Sequence, residues 1–149
     1  MPAPPLSLKG RALRYLAGRE HSRLELERKL ARFGEDADEI RRVLDELTAR
    51  GFISEQRVVE SVLYQRAGKL GSARVLSELR AKGLSPEALE SAAETLHASE
   101  QERARAVWRK KFGVLPTDAA ERARQMRFLA ARGFAGEIVR KVVGGRGED

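Results

Sequence analysis

Three short strings of this sequence recur at a nearly constant spacing, and each places a leucine four residues before a glycine. The pairs are Leu30 and Gly34, Leu79 and Gly83, and Leu129 and Gly133. Successive pairs lie 49 and then 50 residues apart. Because glycine just past a helix adopts the left-handed conformation at low cost, each string is typical of a helix end. A regular period of this size indicates an array of small repeated units.

Helix start signals recur together with these stop signals. Ser22 and Glu25 have the spacing of a capping box, and so do Ser99 and Glu102. In such a box the serine oxygen accepts a free backbone N–H and the glutamate reaches back to the cap. Ser85 precedes a proline, which is well placed at the first helical position because its missing N–H would have no partner there. The sequence therefore predicts capped helices spaced along the whole chain.

No segment alternates apolar and polar residues with period two, whereas Ile40, Leu44 and Leu47 follow helical spacing. We predict an all-α protein of nine helices in three tandem three-helix repeats that form an elongated, curved array. The expected divisions are an N-terminal tail at 1–7, repeats at 8–53, 54–98 and 99–145, and a C-terminal tail at 146–149. Repeats of about 45 residues bury little core alone, so they should pack on their neighbours. A continuous nine-helix globule with coincidental spacing is the alternative.

The charge is concentrated at one end of the chain. Lys and Arg number 29 against 22 Asp and Glu, a formal net charge of +7. The three predicted thirds, 1–53, 54–98 and 99–149, carry net charges of +2, 0 and +5. A basic third repeat indicates a polyanion or an acidic protein surface as partner.

Basic side chains are the candidate partner-binding residues. The strongest candidates lie in the third repeat, where the charge excess is, and they are Arg109, Lys110, Lys111, Arg124, Arg127 and Arg132. A second group from the first two repeats comprises Arg14, Arg57, Arg66, Lys69 and Arg74. Guanidinium groups fork onto carboxylates or phosphates. The structural alternative is a solvated face whose long side chains cover apolar surface.

One aromatic residue falls in the helix that opens each predicted repeat. These residues are Tyr15, Tyr64 and Trp108, and the opening helices are expected at 8–17, 55–67 and 100–112. Core packing is the expected role of all three, rather than stacking on nucleic-acid bases. The turn that joins the second repeat's helices also permits a helix-turn-helix DNA reader, although any small helical bundle contains such turns.

The residues give little support for an enzyme. The two histidines, His21 and His97, both fall at predicted helix boundaries, and cysteine is absent. No acidic cluster has metal-ligand spacing and no glycine-rich turn follows a strand, so no metal or cofactor is expected. No apolar run approaches the roughly 18 residues that span a bilayer. A non-enzymatic cytoplasmic protein without a membrane segment is the expectation.

Several strings together resemble one known family. They are ALRYLA at 12–17, REHSRLEL at 19–26, GFISEQR at 51–57, KFG at 111–113 and RFLAARGF at 127–134. In this order they resemble the bacterial RecX regulatory proteins, the modulators of the RecA recombinase, over about 8–143. Two departures stand out: Val58-Val59 replaces the family's Phe-Ala pair, and Gly71-Ser72 replaces its Gly-Pro.

The resemblance implies a curved array of three-helix repeats that lodges in the groove of the RecA–single-stranded-DNA filament. There it would lower strand exchange, ATP hydrolysis and the coprotease activity of the filament, most simply as a monomer. A rival hypothesis is a helical DNA-binding protein that competes for single-stranded DNA without touching RecA. A scaffold whose basic face only keeps it soluble is a third.

Overall fold

The computed structural model describes residues 6–33 and 36–145. This part of the chain contains eight helices and no strand. In chain order they are α1 (Leu8–Gly18), α2 (Arg23–Ala31), α3 (Ala37–Ala49), α4 (Glu55–Arg66), α5 (Ser72–Ala81), α6 (Pro86–Lys111), α7 (Ala119–Ala131) and α8 (Gly136–Val143). Most of both predicted tails and Gly34 lie outside the described residues, and the all-α prediction is confirmed for the rest.

Three separate hydrophobic clusters divide the helices into three-helix units. The first is built from α1 to α3 around Leu26, Leu30 and Leu44. The second joins α4, α5 and the first half of α6, and the third joins the second half of α6 with α7 and α8. Helices pack within their unit, and α6 alone belongs to two units. The predicted fold of three helical repeats is therefore confirmed, and we call these units the first, second and third repeats.

The prediction of nine helices is wrong at the junction of the second and third repeats, because α6 continues through it over 26 residues. Ser99 is not a cap: its hydroxyl donates to the carbonyl oxygens of Thr95 and Leu96 at 3.3 Å, inside the helix. The stripe Ala92, Leu96, Glu100 and Ala104 is buried along one side of α6. One rigid helix thus carries both hydrophobic clusters.

The predicted starts of α2 and α6 and the glycine ends of α5 and α7 are confirmed. The capping box of α2 is complete, with the Ser22 hydroxyl accepting from the Glu25 N–H at 3.2 Å and the Glu25 carboxylate accepting from the Ser22 N–H at 3.0 Å. Ser85 caps α6 ahead of its proline. The string glycines Gly83 and Gly133 have φ of +73° and +93°, so both take the left-handed conformation that favours glycine.

Ion pairs join the first repeat to the second. Lys82 at the end of α5 lies 3.3 Å from the Glu25 carboxylate, and Arg57 at the start of α4 lies 2.9 Å from the carboxylate of Glu20. Burial opposes ionisation of Glu25, but hydrogen bonds from Arg19 and from the backbone, with the charge of Lys82, lower its pKa to about 2. The Glu25 carboxylate is therefore charged at neutral pH and serves both a helix cap and a repeat junction.

Buried polar groups join the second repeat to the third. One carboxylate oxygen of Glu100 accepts from the backbone N–H of Ala135 at 3.2 Å and of Ser72 at 3.4 Å. The Gly71 N–H donates to the carbonyl oxygen of Arg132 at 2.7 Å. These contacts satisfy the free N–H groups at the starts of α5 and α8, which lack side-chain caps of their own. They also fix the orientation of the third repeat.

Candidate partner-binding surface

A groove at the junction of the second and third repeats brings together four of the predicted binding residues. Its basic lining residues are Lys69, Lys110, Lys111 and Arg132, and the rest of its lining is Gly68, Ala106, Val107 and Phe128. Its volume is about 480 Å³. We call it the junction groove. Basic groups surround an apolar floor, and none of its lining residues is acidic.

Helix geometry explains why these cations meet. Lys110 and Lys111 stand one turn beyond Ala106 and Val107 on α6, so each lysine lies above an apolar floor residue. Lys69 follows the end of α4, and Arg132 is the C-cap of α7. Each of the four groove cations thus lies at or just past the C-terminal end of a helix, where the partial negative charge of the helix end favours a cation.

Two phenylalanines, Phe128 in the groove lining and Phe112 beside it, are already covered by cations of the same chain. The rings of Phe112 and Phe128 meet edge to face, with centroids 5.4 Å apart. Lys111 Nζ lies 5.4 Å from the centre of the Phe128 ring, and the Arg132 guanidinium lies 4.8 Å from it. Cation–π contacts of this kind hold flexible basic side chains in place. The KFG and RFLAARGF strings of the sequence are therefore brought together in one aromatic and basic cluster.

Arg124 lies on the far side of the same cluster. Its guanidinium stacks 5.1 Å from the centre of the Phe112 ring and makes two 3.0 Å hydrogen bonds to the Glu121 carboxylate. Hydrogen bonds from Arg124 and Gln125 hold the pKa of Glu121 below its usual range, and the same pairing raises the pKa of Arg124. The charge of Arg124 is therefore paired with a carboxylate of the same chain, whereas the lysines of the junction groove have no acidic neighbour in its lining.

Three predicted residues of the second repeat also have partners within the chain. Arg57 binds Glu20, and Arg66 lies 3.2 Å from Glu78. Arg74 donates to the carbonyl oxygen of Ala131 at 2.8 Å, across the junction to the third repeat. These side chains stabilise the contacts between and within repeats. Any contact they make with a partner stays a prediction.

Three other predicted residues are exposed and line neither the junction groove nor the clefts beside it. Arg14 lies on α1, Arg109 near the end of α6 and Arg127 on α7. Within residues 6–33 and 36–145 none of their side chains makes a hydrogen bond or ion pair. They do not line the groove with its cations, and any contact they make with a partner stays a prediction.

The aromatic expectations hold in part. Tyr15 packs against the first hydrophobic cluster and Trp108 against the third, where the Trp108 N–H also donates to the side-chain oxygen of Gln125 at 2.8 Å. The core role predicted for Tyr64 is wrong, because this residue is 93% exposed on α4. Val58 and Val62 bury the opposite side of the helix, so the ring points to solvent.

The boundary position predicted for His21 is confirmed, because the residue lies between α1 and α2, whereas the boundary predicted at His97 is wrong. His21 is buried, with Nδ1 3.1 Å from the carbonyl oxygen of Arg19 and Nε2 2.8 Å from Lys29 Nζ. This geometry fits a neutral ring that donates from Nδ1 and accepts from the lysine at Nε2. Burial foremost, then the charges of Arg19 and Lys29, lowers the pKa of His21 against the opposing carbonyl hydrogen bond. His97 is exposed in the middle of α6, not at a boundary.

The described residues contain no group of three or more His, Asp or Glu side chains placed to hold a metal ion. None of the helices in this part of the chain is long and apolar enough to cross a membrane.

Comparisons with known proteins agree with this architecture. The family described as RecX, third three-helix domain, matches residues 98–143, and RecX, first three-helix domain, matches residues 9–47. The protein named Regulatory protein RecX of Leptothrix cholodnii is 54% identical, covering 94% of this chain and 89% of the relative. Its namesake in Ralstonia nicotianae is 48% identical, covering 97% and 91%.

Solved structures support the same fold. The crystal structure of RecX from Lactobacillus salivarius superposes with a TM-score of 0.78 and covers 93% of each chain, at 18% sequence identity. A second crystal structure, of regulatory protein RecX, superposes with a TM-score of 0.76 and covers 93% of this chain and 71% of the other. With two family domains matched and close relatives over nearly its whole length, the chain belongs to the RecX family of regulatory proteins.

Proposed function

We propose that this chain is a non-enzymatic regulator that binds the RecA–single-stranded-DNA filament and lowers its recombinase, ATPase and coprotease activities. It would act in the cytoplasm as a monomer, since a filament groove holds a repeat array without any second copy. The observation that carries the proposal is the junction groove, where Lys69, Lys110, Lys111 and Arg132 surround an apolar floor. Family membership supplies RecA as the partner.

The form of the molecule supports a binding role. Repeats that each pack on the next present a long surface instead of one deep pocket. The groove cations lie on rigid helix ends, and two of them are held by Phe128, so less side-chain freedom is lost when they bind. Electrostatic attraction by the basic third repeat would also speed encounter with a polyanionic filament.

Competition for bare single-stranded DNA is the second candidate. Arg109 and Arg127 favour it, because both are exposed and unpaired within the described residues and phosphate contacts need only accessible cations. In that case inhibition would require enough protein to coat the DNA. Affinity would also fall steeply with salt, because each phosphate contact releases counterions.

The RecA ATPase rate on single-stranded DNA distinguishes the two candidates. The protein is titrated from far below the RecA concentration, at two salt concentrations. We expect the rate to fall at a small fraction of the RecA concentration, when too few molecules are present to mask the DNA. A fall only when the protein rivals the number of DNA sites would favour competition, and no fall would refute the proposed regulation.

A further inference from the structure

We propose that the junction groove binds an acidic protein segment. One apolar side chain of that segment, flanked by carboxylates, inserts into the groove. This inference rests on the proposed function and deepens it, since such a segment would be the protein side of the filament contact. The alternative ligand is single-stranded DNA, which combines anionic phosphates with flat bases. Four properties of the groove favour an acidic protein segment over DNA.

The first property is the aliphatic floor. Ala106 and Val107 present methyl groups between the basic residues of the groove, and the cavity of about 480 Å³ is open enough for a side chain. Specific pockets commonly combine an apolar body with a few charged groups at the edge. A leucine-sized side chain on this floor would remove apolar surface from water. A sugar–phosphate backbone would gain nothing from it.

The second property is the state of the aromatic rings. Lys111 and Arg132 lie over Phe128, and Phe112 packs against the same ring in an edge-to-face contact. Binding of single strands without sequence preference relies on aromatic faces that bases can stack on. Here a base would have to displace cations already held by the ring. The ring instead acts as a support that fixes the positions of those cations.

The third property is the uncompensated charge. The cleft between the first and second repeats also contains basic residues, Arg19, Arg66 and Lys82, but Glu20 and Glu78 line it with them. The junction groove has basic lining residues and no acidic one, and Lys69 and Lys110 make no ion pair within the described part of the chain. The junction groove therefore offers cations without an acidic neighbour to an anionic partner, whereas acidic residues of the chain itself line the other cleft.

The fourth property is the compactness of the cluster. The groove cations surround one cavity of limited size. Of them, only Lys111 also lines the neighbouring cleft, where Arg124 is paired with Glu121, and Arg14 and Arg127 line neither. A strand of nucleic acid needs cations that follow its backbone. A short acidic segment needs only a few that converge, and carboxylates pair well with fixed guanidinium and ammonium groups.

The test is fluorescence anisotropy with three probes on the full chain. The first is a labelled peptide of six acidic residues flanking one leucine, the second is the same peptide with serine in place of leucine, and the third is oligothymidine. We expect the leucine peptide to bind about tenfold more tightly than the serine peptide, as burial of one aliphatic side chain implies. Equal binding of the two peptides would overturn the proposal.

Two pairs of variants locate the site. Ala106→Phe fills the groove floor without changing charge, and Ala98→Phe makes the same change on exposed α6 surface away from the groove. Lys110→Glu reverses a groove charge, and Arg42→Glu makes an equal charge change on α3. We expect Ala106→Phe to abolish the preference for leucine and to leave oligothymidine binding unchanged, whereas Ala98→Phe keeps both. Loss of oligothymidine binding in Ala106→Phe would make the groove a DNA site instead.

Further measurements separate failure of this inference from failure of the proposed function. Circular dichroism checks that each variant is folded, and Ala106→Ser tests the floor without added bulk, with a weaker leucine preference expected. The RecA ATPase titration is run with the same proteins. Inhibition of RecA without leucine-dependent peptide binding would contradict only the proposal that the groove binds an acidic segment. Leucine-dependent binding without inhibition would contradict only the proposed regulation of RecA.

Discussion

The guanidinium group of Arg103 donates from Nη1 to the carbonyl oxygen of Leu70 at 2.7 Å and to that of Ala67 at 2.9 Å. From Nη2 it donates to the carbonyl oxygen of Leu96 at 2.9 Å and to the Ser72 hydroxyl at 3.1 Å. Arg103 lies in the half of α6 that belongs to the third repeat. Its side chain therefore satisfies free carbonyls at the end of α4 and fixes the turn into α5.

Replacing Arg103 by alanine should destabilise the protein by about 2–4 kcal/mol, because several partly buried acceptors lose a charged donor at once. Lysine should recover only part of this loss, since an ammonium group lacks the forked geometry. Urea unfolding measures the change. Arg42→Ala, at an exposed arginine of α3, is the control and should stay within about 0.5 kcal/mol of wild type. An equally small change for Arg103→Ala would contradict the assigned role.

Gly71 should tolerate no side chain, because a Cβ atom there would overlap the backbone of Gly133 and Phe134. We expect Gly71→Ala to cost about 3 kcal/mol as the two repeats are forced apart. Gly68→Ala, three residues away, meets nothing within 4 Å and should be nearly neutral. Thermal unfolding of both variants checks the prediction. Equal melting temperatures would show that the repeats do not approach as closely as described.

The stability of the protein should fall as the pH drops below about 6.5. The pKa of His21 is lowered by burial and by the nearby charges of Arg19 and Lys29. Below about pH 6.5 the His21 side chain is protonated in the unfolded chain but stays neutral in the folded chain. The stabilisation is therefore fully present above the pKa of the unfolded chain, and it is lost as the pH falls towards the lower pKa of the folded chain. Urea midpoints at pH 7.5 and 5.5 measure this effect.

His21→Gln should remove most of that pH dependence, since the variant has no proton to gain at this site. His97→Gln should keep it, because His97 is exposed on α6. A wild-type midpoint that does not change between the two pH values would show that the pKa of His21 is the same in the folded and unfolded chains. The same fall in His21→Gln would place the titrating group elsewhere.

The sequence predicted the architecture from local signals but missed the continuity of α6. Ser99 and Glu102 have capping-box spacing, yet the same pattern occurs inside helices, and neither glycine nor proline stands between residues 87 and 112 to end one. The decisive fact is tertiary. Glu100 is buried within an otherwise apolar stripe because it accepts N–H groups from two other helices, and no local pattern contains those partners.

The sequence predicted most residues of the candidate site but not their arrangement in space. Charge excess directed attention to Lys110, Lys111 and Arg132, but the presence of Lys69 beside them depends on how the repeats pack. Tyr64 was expected in the core but is exposed. Helical spacing alone did not reveal that valines occupy the buried side of α4. Family strings identified Phe112 and Phe128 without showing that cations cover them.

In the proposed function, the junction groove and not the net charge inhibits the RecA filament. The most direct test of this proposal compares half-inhibiting concentrations in the RecA ATPase assay for two double variants of equal charge change. Lys69→Glu with Lys110→Glu alters the groove, whereas Arg42→Glu with Arg80→Glu alters exposed residues of α3 and α5. We predict that the groove variant needs about tenfold more protein or worse, while the control stays near wild type. Equal losses in both variants, or none in the groove variant, would contradict the account.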